Sequence, residues 1–174
     1  MRRGPNNASK RNRRRIIKAL LDLLDSEPFP EISVRQITDR AELVRRTFYS
    51  HFDSKEEVLK SHFDSLCSQL ASSIVENDEA VLPAASRRIF EFWQSHAGFL
   101  RVLRRNGLSV PEESLEKLLI KVGSLFKSDL KKEPFTLAFL AGGLSNLLGT
   151  WALDNCRQTP EEMAETFISF ADAS

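Results

Sequence analysis

The sequence predicts an all-α protein, on three observations. Apolar residues recur with a period near 3.6 in segment after segment, and no window carries the strict alternation of a half-buried strand. Ser/Thr-x-x-Glu/Gln boxes, which mark helix starts, occur at Ser33, Ser54, Ser109 and Thr159. With 41% apolar and 28% charged residues but only 7 Gly and 7 Pro, the composition supports a packed core and argues against disorder.

The elements follow in order. MRRGPNNASKRNRRR holds seven basic side chains and no acid. Residues 1–11 have no apolar anchor and read as a flexible basic arm. They also lack the apolar run of a secretory leader. Helix 1 is expected over about 10–25, where Ile16, Leu20 and Leu24 repeat at i, i+4, i+8. The prolines of EPFPEI end it. Ser33 and Gln36 can exchange side-chain and backbone hydrogen bonds and open helix 2, which runs to about Arg40. A tight turn at Glu42-Leu43 leads into helix 3, about 44–51. Ser54 and Glu57 open a long helix 4 carrying Val58, Leu59, Phe63, Leu66, Leu70 and Ile74 on one face. Five more helices are expected at about 79–95, 97–105, 111–131, 134–156 and 160–172, the last with Pro160 at the favoured first position.

Charge is unevenly distributed. The net charge is only +1, yet residues 1–62 contain 14 Lys/Arg against 9 Asp/Glu, and the remainder 11 against 15. A basic N-terminal third with an acidic remainder can present one end to a polyanion. Cys67 and Cys156 lie far apart and form neither a disulfide framework nor a CxxC site. The three histidines have no metal spacing. No Gly-rich phosphate loop and no GxSxG occurs, so no catalytic residue, metal or cofactor is expected.

The segment RRTFYSHFDSKEEVL (45–59) packs Phe48, Tyr49, His51 and Phe52 into five residues behind two arginines. Helix 2, the turn and helix 3 read as a helix-turn-helix. Phe48 and Phe52 then face inward and fix helix 3. Arg45, Arg46, Thr47, Tyr49 and His51 are left outward, on a short helix that fits a DNA major groove. Lys55 lies in the first turn of helix 4, where free N–H groups already favour an anion.

SVRQITDRAELVRRTFYSHFDSKEEVL resembles the DNA-binding domain of the TetR family of bacterial transcriptional regulators, most specifically through the T-F-Y-x-H-F-x-S-K-E-E core at 47–57. The resemblance covers about residues 12–63. It implies backbone contacts from Thr47, Tyr49, His51 and Lys55, clamping of the flanking backbone by Ser33 and Arg35, and base reading by Arg45 and Arg46. Three positions depart from the family pattern: Glu42 where Gly is usual, Val44 where Ser or Ala is common, and Arg46 where a small residue stands. FLAGGLSNLLGTWALDN followed by TPEEMAETF is similar to the last two helices of short TetR-like regulators. In the family this region dimerises and often holds a small-molecule pocket.

The organisation expected is therefore a basic arm (1–11), a DNA-binding domain (12–60) and a dimerisation and effector domain (61–174). Phe90, Trp93, Phe99, Phe126, Phe139 and Trp151 are the candidates to line an effector pocket, although aromatics at helical spacing more often form plain core. Residues 135–153 carry no charge. Three glycines and several polar residues dilute the stretch, which favours a buried interface helix over a membrane span. Ala138, Gly142, Ser145 and Gly149 form a face of small residues on it, the expected contact with a second copy. The function expected is a cytoplasmic, homodimeric regulator of transcription that binds a palindromic site on double-stranded DNA. It would act as a repressor released by a small-molecule effector. The alternative is a coactivator working through protein contacts.

Overall fold

The computed structural model describes residues 5–76, 82–123 and 132–172. Among these residues nine α-helices and one 3-10 turn follow one another, with no strand. The chain divides into two compact units, Met1–His62 and Phe63–Ser174.

In the first unit α1 spans Pro5–Leu24, so residues 5–11, expected as a flexible arm, are helical. A proline is tolerated in a first helical turn, and the polar run behind it contains no breaker before the apolar stripe. That stripe buries Ile16, Leu20, Leu23 and Leu24, each worth about 1.5–3 kcal/mol on full burial. The 3-10 turn η1 (Phe29–Glu31) forms where Pro28 and Pro30 stop the helix, and it buries Phe29. In α2 (Val34–Arg40) the expected Ser33/Gln36 capping box is formed. The Gln36 N–H donates to Ser33 Oγ at 3.2 Å, and the Ser33 N–H donates to Gln36 Oε1 at 2.8 Å.

The turn after α2 is a Schellman motif. Leu43 N–H reaches Thr38 O at 2.9 Å and Glu42 N–H reaches Asp39 O at 3.1 Å. Glu42 occupies the left-handed position, with φ +49°. The short α3 (Arg45–Tyr49) follows, held by Phe48 and Phe52, which are 0% and 2% exposed. The next helix, α4 (Lys55–Glu76), starts with a variant of the expected box. Ser54 Oγ accepts from Glu57 N–H, but the Glu57 carboxylate returns to the Asp53 N–H at 2.6 Å rather than to that of Ser54.

The second unit contains the remainder of α4 with α5 (Leu82–Ser95), α6 (Ala97–Arg105), α7 (Glu112–Gly123), α8 (Pro134–Leu153) and α9 (Pro160–Asp172). The expected helical residues 79–81 and 124–131 lie outside the described residues. Packing of α5 on α9, and of α8 on α6 and α7, closes the core. The Thr159 box is reciprocal, as expected. At Ser109 the box does not form, and the Pro111 carbonyl instead accepts from Ser114 and Leu115. The end of α8 comes three residues before the expected 156, in another Schellman motif. Cys156 N–H bonds Trp151 O, Asn155 N–H bonds Ala152 O, and Asn155 has φ +56°. By length and composition α8 would suffice to cross a membrane, and 39% of its most apolar window is buried.

Candidate nucleic-acid interface

The residues proposed to meet DNA all lie in the first unit. Arg45, Arg46 and Tyr49 are exposed on α3, with Thr47 and His51 half-buried beside them. Arg45 donates to the Tyr49 hydroxyl at 3.2 Å and lies 5.6 Å over its ring. Arg46 has no partner among the described residues. Ser33 and Arg35 lie at the start of α2. Ser33 Oγ–H is turned to Gln36 Oε1 at 2.7 Å, so its hydroxyl serves the cap. Arg35 is exposed and faces Asp39 at 3.7 Å.

Lys55, expected as a DNA-backbone contact in the first turn of α4, is engaged within the chain. Its ammonium points to the η1 backbone, where it donates to Phe29 O, Pro30 O and Ile32 O.

Two arginines of the basic N-terminal run have internal tasks that the sequence did not reveal. Arg13 lies 4.5 Å over the Phe52 ring, bonds Ser61 Oγ and reaches His51 O at 3.5 Å. Arg15 meets the Glu42 carboxylate at 2.7 Å. The acid in the turn is thereby tied to α1, and α1 is tied to the reading helix. Arg11 and Arg14 remain exposed on α1. A charge run gives no sign of which of its members turn inward, because that depends on partners almost 30 to 50 residues away.

Comparison with known proteins bears on this unit most directly. Residues 16–61 match the model of the bacterial regulatory proteins, tetR family. Residues 16–61 form a TetR-family domain.

One relative, the HTH-type dhaKLM operon transcriptional activator DhaS of Lactococcus lactis subsp. lactis (strain IL1403), is 40% identical over 50 residues. The match takes in 29% of this chain and 27% of that activator's length. Three solved structures share the fold of nearly the whole chain. The dihydroxyacetone kinase operon activator DhaS has a TM-score of 0.60 at 22% identity, over 93% of this chain and 94% of that one. A tetR-family transcriptional regulator from Streptomyces coelicolor gives 0.58 at 19%, over 92% and 81%. The fatty acid degradation regulator FadR from Bacillus halodurans gives 0.57 at 14%, over 98% and 96%. Each is named as a regulator or an operon activator. At these identities the likeness of the solved structures is one of fold.

In this TetR-like chain the five described aromatic candidates for an effector pocket do not line one cavity. Phe90, Trp93 and Trp151 are core. Trp93 stacks on Phe63 at 4.7 Å, and Phe90 meets Trp151 edge-on at 5.7 Å. Phe99 is half-buried against Phe63. Phe126 lies outside the described residues. Phe139 is 55% exposed and lines an apolar groove of about 390 Å³ between α8 and α9, with Leu140, Gly143, Leu147, Phe167 and Phe170. A separate, polar cavity of about 180 Å³ between α4 and α7 is lined by Asp64, Cys67, Ser68, Ser114, Lys117 and Lys121. There Ser114 Oγ–H donates to Asp64 Oδ1 at 2.5 Å. Burial pushes the Cys67 thiol up to about 12, with the Asp64 charge adding to it. Nothing in the sequence marked this cavity, because its lining comes from two helices that each read as ordinary amphipathic stretches.

The small-residue face of α8 is also reassigned. Ser145 is buried and donates to Val110 O at 3.2 Å. Gly149 is buried against α6, where an added Cβ would lie 2.5 Å from Arg104 Nε. Both therefore serve the chain's own packing. Ala138 is exposed and Gly142 half-buried. The face of α8 left open is rotated by roughly 90° from the expected one, at 3.6 residues per turn. It carries Phe135, Phe139, Gly143, Asn146 and Thr150. Among the described residues no group of three or more His, Cys, Asp or Glu is placed to hold a metal ion.

Proposed function

We propose that this chain is a cytoplasmic, sequence-specific regulator of transcription that binds double-stranded DNA as a homodimer. The observation that carries the reading is the division of labour on α3. Phe48 and Phe52 are buried and fix the helix, while Arg45, Arg46 and Tyr49 face solvent at its surface. Arginine can bond guanine edges bidentately, and both arginines lie at the N-terminus of α3, the end from which a recognition helix contacts bases. A second copy supplies the second reading helix, about one DNA turn or roughly 34 Å away or a small multiple of it, so the operator is an imperfect palindrome. Occupying that site makes the chain a repressor. The polar α4–α7 cavity supports release by a small polar effector.

Selecting bound sequences from random duplex DNA tests the proposal, and an enriched palindrome is expected. Arg45→Ala should then relax preference at one symmetric pair of positions, each worth about 1–3 kcal/mol. Failure to enrich any sequence overturns the reading.

A second reading has one observation in its favour, the 40% identity over 50 residues to a protein named as a transcriptional activator. In it the chain activates through protein contacts, as a coactivator with weak DNA affinity. A reporter driven by the selected operator separates the two. Repression by the bound chain supports the first, and activation that survives Arg45→Ala supports the second.

A further inference from the structure

Lys55 opens α4, yet its ammonium turns away from the helix end. It lies against the link between α1 and α2, 4.5 Å from the centroid of Phe29. Its Nζ donates to Phe29 O at 2.6 Å, Pro30 O at 3.2 Å and Ile32 O at 2.8 Å. An ammonium has three N–H donors, and three carbonyls take all of them. Of these carbonyls it is that of Ile32 that needs the lysine, because Phe29 O also accepts from the Ile32 N–H at 3.2 Å and Pro30 is exposed. Pro28 and Pro30 keep the link out of a regular helix, and Ile32 is only 1% exposed. Among the described residues no other donor reaches Pro30 O or Ile32 O. A buried carbonyl left unpaired is costly.

The clamped residues run directly into Ser33, the N-cap of α2, with Arg35 in the first helical turn beyond it. We propose that Lys55 is a positioning residue for DNA binding. It fixes the entry of α2, and with it Ser33 and Arg35, and has no donor left for a phosphate. This inference rests on the DNA-binding reading above.

Two variants test it on a duplex that the wild type binds. Lys55→Met keeps the stem and removes the donors. It should bind at least tenfold more weakly, with an unchanged slope of log affinity against log salt. Lys55→Arg keeps the charge, but a flat guanidinium fork does not converge on three carbonyls around one point. It should fail as Met does. An Arg variant with wild-type affinity overturns the proposal, as does a Met variant with wild-type affinity. So does a Met variant whose salt slope falls by about one counterion per subunit, the mark of a lost phosphate contact.

The wild-type ammonium gives a reading that needs no variant to fold. In 1H–15N spectra its signal should exchange slowly with water and stay unmoved when duplex is added. Rapid exchange in the free protein, or a coupling to 31P in the complex, overturns the clamp. If the wild type binds no duplex at all, the DNA reading fails by itself. The clamp is then judged on the free-protein ammonium signal and on the amides of residues 33–36, which should exchange faster in Lys55→Met.

Discussion

Glu42 holds a left-handed backbone that glycine would hold without strain. The cost to a residue with a Cβ is about 1–2 kcal/mol, while its exposed ion pair with Arg15 returns at most about 1 kcal/mol. Glu42→Gly should therefore stabilise the chain by about 0.5–1 kcal/mol in urea unfolding, and Glu42→Ala, which keeps the strain and loses the pair, should not. Both variants lose the pair, so a Gly variant no more stable than the Ala variant would mean that the turn holds no strain for glycine to relieve. Val44 adds a second local cost. It stands at the N-cap of α3 without a side-chain cap and is 69% exposed, so Val44→Ser should gain about 1 kcal/mol. The two cysteines can be ranked as well. The thiolate is the reactive form, and burial raises both thiols, with Cys67 pushed to about 12. Cys67 is buried and Cys156 half-buried, so alkylation at pH 8 should label Cys156 first. Faster labelling of Cys67 would mean that the α4–α7 cavity opens in solution.

Helix α8 is where the sequence and the structure part. Both agree on a long apolar helix with no charge between 135 and 153. The pattern could not say which of two apolar faces the chain covers for itself. That is decided by the Val110 carbonyl and by Arg104 of α6, and both lie far away in sequence. Local signals were legible for the opposite reason. The Ser33 and Thr159 boxes join residues three apart, so composition alone contains both partners of each bond. The turn at Glu42 was expected although the residue there is not glycine, whereas the Schellman turn at Asn155 was missed because its usual marker is glycine. On α3, the inward Phe48 and Phe52 and the outward Arg45 and Arg46 were readable from spacing. The inward Lys55 was not, because its acceptors are backbone carbonyls, which no residue name announces. At Gly142 and Gly143 a Cβ would meet nothing within 4 Å. Gly143→Ala should then raise monomer stability by about 1 kcal/mol, measured under conditions in which any association is suppressed. A loss instead would mean that a neighbour within the chain approaches this face.

At the scale of the whole molecule, the open face of α8 and the adjoining α9 leave large apolar side chains in water. Phe135 is 89% and Phe170 59% exposed, and contiguous patches of this kind mark association surfaces. The proposed homodimer buries them. Sedimentation at micromolar concentration should give a dimer for the wild type and a monomer of unchanged helicity for Phe139→Glu. A dimer that survives Phe139→Glu would move the interface off the groove. Gly149→Ala, by contrast, acts within the chain by displacing Arg104 and should leave association intact. The groove has a consequence for dosage. If only paired chains grip a palindrome, then below the dimer dissociation constant the amount of competent regulator grows as the square of the amount synthesised. Doubling expression in that range should raise promoter occupancy almost fourfold, and a Phe139→Glu chain should lose that steepness together with its grip.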